Sequence, residues 1–157
     1  MAIMLAGLTT CAGAQVGALK TGDPRVEKLL KDADLKYRVD KDGDFRLVNE
    51  TKSDRRQIAF ILSNTSKLRS LEIREVWSVG YRSKSPFSAS VSNRLLEQNS
   101  KVKLGAWQVR KMGEDYVAVF VAQIAADTDK LSLLLSLHAV TTTADEMEEE
   151  LTGKDDL

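Results

Sequence analysis

One cysteine, Cys11, and one histidine, His138, stand among 157 residues. A lone cysteine closes no intramolecular disulfide. With a single histidine beside it, the chain cannot assemble a His- or Cys-rich metal centre or a thiol–histidine pair except across two subunits. Net charge is absent too, since 23 Lys and Arg residues balance 23 Asp and Glu. No whole-molecule field would hold this chain on nucleic acid or an anionic membrane, so neither is an expected partner. Nowhere does an apolar run approach the roughly 18 residues that a membrane span needs. No Gly-x-Ser-x-Gly nucleophile motif occurs, and no cofactor motif.

What is present is an ordinary globular composition, 43% hydrophobic and 29% charged, in a length that fits one domain. Residues 1–19 carry no charge. Ile3 to Leu8 form a short apolar run, and Ala12-Gly13-Ala14 fits a small-x-small cleavage site that would leave Gln15 first. The positive residues that normally precede such a run are missing. Leu8-Thr9-Thr10-Cys11 approaches a lipoprotein box, but Thr10 is bulkier than the residue expected before the cysteine. The expectation is a signal or flexible segment over 1–19, a domain over 20–157, and a periplasmic or exported location, with the cytoplasm as the alternative.

Asp23-Pro24 predicts a helix start, with a capping carboxylate followed by a proline whose missing N–H costs nothing at the first position. Val26, Leu29, Leu30 and Ala33 follow at helical spacing. Tyr37 to Val39 and Phe45 to Val48 flank Asp42-Gly43, a hairpin signal. Ile58 to Leu62 is a nearly unbroken apolar run, and Leu71, Ile73, Trp77, Val79 and Tyr81 alternate, with Glu75 oddly in the same row. Ser85-Pro86 predicts a second helix carrying Phe87, Val91 and Leu95. Ala106 to Lys111 and Tyr116 to Ile124 make a strand pair around Met112 to Asp115. A last helix opens at Asp127 or Asp129 and reaches about Leu151, before Gly153. The order is α-β-β-β-α-β-β-α, an α+β domain with an antiparallel sheet.

Three features invite a chemical reading. Asp40, Asp42 and Asp44 copy the opening of a calcium-binding loop, but Phe45 stands where its glycine belongs and Thr51 where its closing glutamate belongs. A solvated hairpin turn is the expectation. His138 follows Leu131, Leu134 and Leu135 around the last helix; with no nucleophile motif beside it, a partly buried, hydrogen-bonded histidine is expected before a general base. Asp145, Glu146, Glu148, Glu149 and Glu150 crowd the helix end where the dipole disfavours them. They form either a solvated face or a set of ion pairs with another chain.

The last helix is apolar on two sides. Leu133, Leu137, Val140, Ala144, Met147 and Leu151 fall along one line, the seam expected to pack on the sheet. Leu131, Leu134, Leu135 and His138 form a second row nearly opposite, in the first half only. Tyr116 to Ile124 likewise places apolar residues on both strand faces. So much apolar surface predicts a cover, by the first helix, by a second subunit or by a client segment. Trp77, Trp107 and Tyr81 would anchor a partner if exposed, although large aromatics in strands more often belong to a core.

Leu95-Leu96-Glu97-Gln98-Asn99, Lys103-Leu104-Gly105-Ala106-Trp107, Ile73 to Ser78 and Ala144 to Gly153 give the chain its likeness to a family. Over roughly residues 24–155 it resembles the YbjN family of small bacterial proteins. That resemblance implies a type III secretion chaperone-like fold and a sensory-transduction regulator without catalysis. It names no reaction and no partner. The resulting expectation is a non-enzymatic regulatory or chaperone-like protein with no cofactor and no metal, acting on an unknown protein client and forming a homodimer. Its partner-binding candidates are Leu131, Leu134, Leu135, His138, Trp77 and Trp107. The alternative is a small-ligand-binding periplasmic protein, with its pocket between sheet and helices.

Overall fold

Capping decides where the helices begin. In α1 (Pro24–Asp32) the Asp23 carboxylate accepts the Arg25 N–H at 2.8 Å, with Pro24 in the first turn as the sequence predicts. α2 (Ala89–Asn99) starts at Ala89 and not at Pro86, because Ser88 supplies the cap, accepting the Val91 N–H at 3.3 Å. Phe87 instead lies edge-on against Tyr81, 5.3 Å between ring centroids. α3 (Lys130–Thr152) is capped by Asp129, which accepts the Ser132 N–H at 2.8 Å, and ends at Gly153 in the left-handed region, φ 66°. This computed structural model describes residues 20–157; the expected export signal, its cleavage site after Ala14 and Cys11 lie outside them.

The strands are β1 (Arg38–Val39), β2 (Phe45–Glu50), β3 (Arg56–Ile61), β4 (Ser66–Leu68), β5 (Leu71–Ser83), β6 (Ala106–Met112) and β7 (Asp115–Ala125). All pair antiparallel in one seven-stranded sheet of order β1-β2-β3-β5-β7-β6, with β4 on β5. Five strands therefore separate α1 from α2, where the sequence reading places three. β1 falls within the Tyr37 to Val39 arm that the hairpin signal marked, whereas β4, three residues long with every residue exposed, has no burial period to mark it.

All three helices share one face of the sheet. Val26 and Leu30 of α1, Leu95 of α2, and Leu133, Leu137, Val140, Ala144 and Met147 of α3 close over Phe45, Leu47, Ala59, Ile61, Val76 and Phe120. The expected seam of α3 is thus the seam observed, with Leu151 at its partly buried end. α3 crosses β5 at Gly80, where a Cβ would stand 2.4 Å from the Trp107 ring and 3.0 Å from the Ala144 carbonyl oxygen. Only glycine admits that approach.

On the opposite face Val79, Val117, Val119 and Val121 form a second buried cluster, packed by Trp77, Met112 and Leu157. No helix residue belongs to it. The two-sided apolar pattern of β7 is therefore met by helices on one side and, on the other, by long side chains and the segment after α3. Glu75 sits in the row of Trp77 and Val79 because it faces away from the helices, where Arg110 pairs with it at 2.8 Å.

Candidate functional site

The second apolar row of α3 does not stay together. Leu134 packs partly buried against the main core, and with Leu35 and Leu137 it lines a small cleft beside β2. Leu131 and Leu135 are 65% and 54% exposed, and no other described element covers them. The expectation that all three leucines are covered within or between chains is thus met inside the subunit by Leu134 alone. α1, which would have had to reach the row, spends Val26 and Leu30 on the core beneath it.

His138 is exposed, against the expectation of a partly buried histidine. Its Nδ1 lies 3.4 Å from the Thr142 hydroxyl, one turn on. It borders a polar cleft of about 380 Å³ between α3 and the turn after β2, which Glu50, Lys52, Thr141, Asp145 and Glu146 also line. No carboxylate orients the imidazole, so the pair that general base catalysis requires is missing at this histidine among the described residues.

The two tryptophans part company as well. Trp107 is buried in the main core, edge-on to Phe120, its indole N–H donating to Gln98 at 2.7 Å. It cannot anchor a partner. Trp77 lies on the helix-free face, stacked on Phe60 with centroids 4.3 Å apart and the Arg110 guanidinium 5.7 Å from its ring. Tyr81 packs against the main core.

The acidic run on α3 divides: Glu146, Glu149 and Glu150 are exposed, as a solvated face requires, while Asp145 and Glu148 turn inward. Asp145 and Glu148 are 3% and 1% exposed. Arg55 enters between them from the start of β3, with Nε 2.7 Å from Asp145 and Nη2 3.5 Å from Glu148. The other Glu148 oxygen accepts the N–H groups of Asp156 and Leu157 at 2.7 and 3.0 Å, fastening the segment after α3. Asp155 accepts the Arg56 N–H at 3.2 Å. On the flanks Lys52 holds Glu146 at 3.2 Å and Arg94 holds Glu150 at 2.5 Å. Burial pushes the Glu148 carboxyl above its ordinary range, the two N–H groups and Arg55 opposing. Asp145, Glu148 and Asp155 present oxygens within 4.8 Å of one another, as a metal site would, but the guanidinium already supplies the countercharge there.

A second ionic network ties α1 to β5. Arg74, buried in the sheet, donates to Asp23 at 2.5 Å and to the Leu62 carbonyl, while Arg25 bridges Asp23 and Glu72 at 2.7 and 2.8 Å. Burial opposes ionisation of Asp23, yet the bonds from Arg25 and Arg74 hold its carboxyl well below the usual range. Arg25 and the Thr65 hydroxyl draw Glu72 down to about 2. In the β1–β2 turn the Asp40 carboxylate accepts the N–H groups of Asp42 and Asp44 at 2.9 and 3.0 Å, and Asp44 accepts that of Ser63 at 2.7 Å. Two of the three carboxylates are thus engaged by backbone, and the trio does not converge on a common point as the α3 carboxylates do.

Among the described residues, no helix is long and apolar enough to cross a membrane. No family model and no curated protein matches this chain. The candidate surface therefore stands on its geometry: two exposed leucines one turn apart on α3, above a partly buried third, with His138 next along the helix.

Proposed function

We propose that the protein is a non-catalytic regulatory or chaperone-like module that works through protein–protein contact, and that it pairs with a second copy through the first half of α3. The observation that carries this reading is the exposure of Leu131 and Leu135 on a well-formed helix. Two leucines one turn apart, continuous with the half-buried Leu134, offer the kind of apolar strip that soluble chains cover by association. His138 would lie at the rim of such an interface. Trp77 offers a separate contact on the helix-free face. The resemblance to the YbjN family, with its secretion-chaperone-like fold, supports the same role class.

Sedimentation equilibrium tests the reading. Wild type should behave as a reversible dimer, and Leu131→Glu with Leu135→Glu should sediment as a monomer with an unchanged circular dichroism spectrum. A wild type that stays monomeric at all concentrations defeats it.

A second reading, small-ligand binding, draws on the polar cleft of about 380 Å³ beside His138. It departs from the expected pocket between sheet and helices, because apolar side chains fill that layer.

A further inference from the structure

Far from α3 in sequence, at the β1 edge of the sheet, Lys36, Arg38 and Arg46 line an open cleft of about 440 Å³ together with Tyr37 and Val48. Among the described residues no carboxylate lines it. Arg38 and Arg46 are direct cross-strand partners in the β1–β2 ladder. Like charges placed opposite each other on antiparallel strands repel, so this pairing works against the hairpin that carries it. Packing does not compensate, since both residues of β1 are exposed and neither enters the core. Elsewhere in the molecule Arg25, Arg55, Arg74, Arg94 and Arg110 each hold a carboxylate. None of the three cations in the cleft forms an ion pair among the described residues.

We infer that this cleft is a binding site for a small organic anion carrying at least two negative charges on phosphate or carboxylate groups. An anion seated between Arg38 and Arg46 turns their repulsion into attraction, and each planar guanidinium can meet two oxygens at once. Lys36 adds a point charge from the segment before β1. Val48, more than half exposed, and Tyr37, whose hydroxyl is engaged by Glu27 at 2.9 Å, provide an apolar wall. That wall suits a ligand with a carbon skeleton better than a bare ion. The volume falls within the range of clefts that take small molecules. The zero net charge of the chain is no obstacle, because the field that matters is that of three neighbouring cations with no ion-pair partner among the described residues.

Titration calorimetry of residues 1–157 with pyrophosphate, with citrate and with a short oligoglutamate tests the inference and separates its sources. One small anion should bind saturably at one site per chain and raise the melting temperature, pyrophosphate marking a phosphate ligand and citrate a carboxylate one. Arg38→Gln and Arg46→Gln should each weaken it about tenfold, the loss expected for one charge-assisted pair, while Arg38→Lys keeps part of the affinity and Arg69→Gln all of it. Without ligand, Arg38→Gln and Arg46→Gln should melt at or above the wild-type temperature, since they relieve repulsion. The inference is overturned if neither small anion saturates at millimolar concentration, if binding survives both glutamine variants, or if oligoglutamate binds more tightly than either.

Discussion

The two halves of α3 invert the usual placement of residues. In the first half leucines point outward, at Leu131 and Leu135; in the second, carboxylates point inward, at Asp145 and Glu148. The second half can bury charge because Arg55 reaches it from β3 and the backbone N–H groups of Asp156 and Leu157 use the remaining oxygen. Every buried charge there has a partner within the chain. The first half leaves Leu131 and Leu135 exposed because no other element among the described residues reaches them, α1 spending Val26 and Leu30 on the core beneath. One end of the helix is thus closed within the subunit, and the other is left exposed among the described residues.

Removing Arg55 should break the closed half most severely. Arg55→Leu leaves two buried carboxylates without a cation, and breaking a buried pair in this way typically costs about 3–5 kcal/mol. Urea denaturation should register that loss, together with release of the segment after α3, visible as faster hydrogen exchange at Asp156 and Leu157. At the open half the same kind of measurement should show little. Leu131→Glu and Leu135→Glu should each change monomer stability by less than about 0.5 kcal/mol, as exposed substitutions do. The contrast fails if the two halves respond alike.

A smaller effect separates the closed half from the α1–β5 network by its pH dependence. Asp23 and Glu72 are held below their ordinary values of 3.8 and 4.5, so the stability they contribute is complete above those values and is lost as pH falls, through about 2 for Glu72. Glu148 has the opposite sign. Its carboxyl is raised, so its contribution is complete below the ordinary 4.5 and declines as pH rises through its folded value. Glu72→Gln should flatten the acid limb of a plot of urea midpoint against pH. Glu148→Gln should instead gain on the wild type as pH rises above about 4.5. Swapped limbs would mean that the two networks have been given each other's electrostatics.

Much of this fold could be read from local pattern. Asp23-Pro24 marked α1, Asp42-Gly43 the hairpin turn, and the spacing of Leu133, Leu137, Val140, Ala144 and Met147 the buried seam of α3. Ser85-Pro86 misled, because the Ser88 side chain, three residues on, competes for the cap and wins. β4 left no trace because a strand of three exposed residues has no burial period. The candidate site was half legible. The outer row of α3 was visible as a row, but splitting Leu134 from Leu131 and Leu135 depends on where α1 and Leu35 come to lie. The ionic knot was invisible for a plainer reason: Arg55 and Asp145 are separated by 90 residues, and no local spacing predicts that meeting. The like-charge pair Arg38 and Arg46 also emerges only once the hairpin register is fixed.

Methyl NMR across a dilution series tests most directly the claim that α3 is open at one end and closed at the other. As the protein is diluted from millimolar to low micromolar, the methyl resonances of Leu131 and Leu135 should shift along one saturable curve. Those of Val140 and Met147, sealed inside the subunit, should hold still. Leucine methyls that do not move over that range, or buried methyls that move with them, would contradict the account.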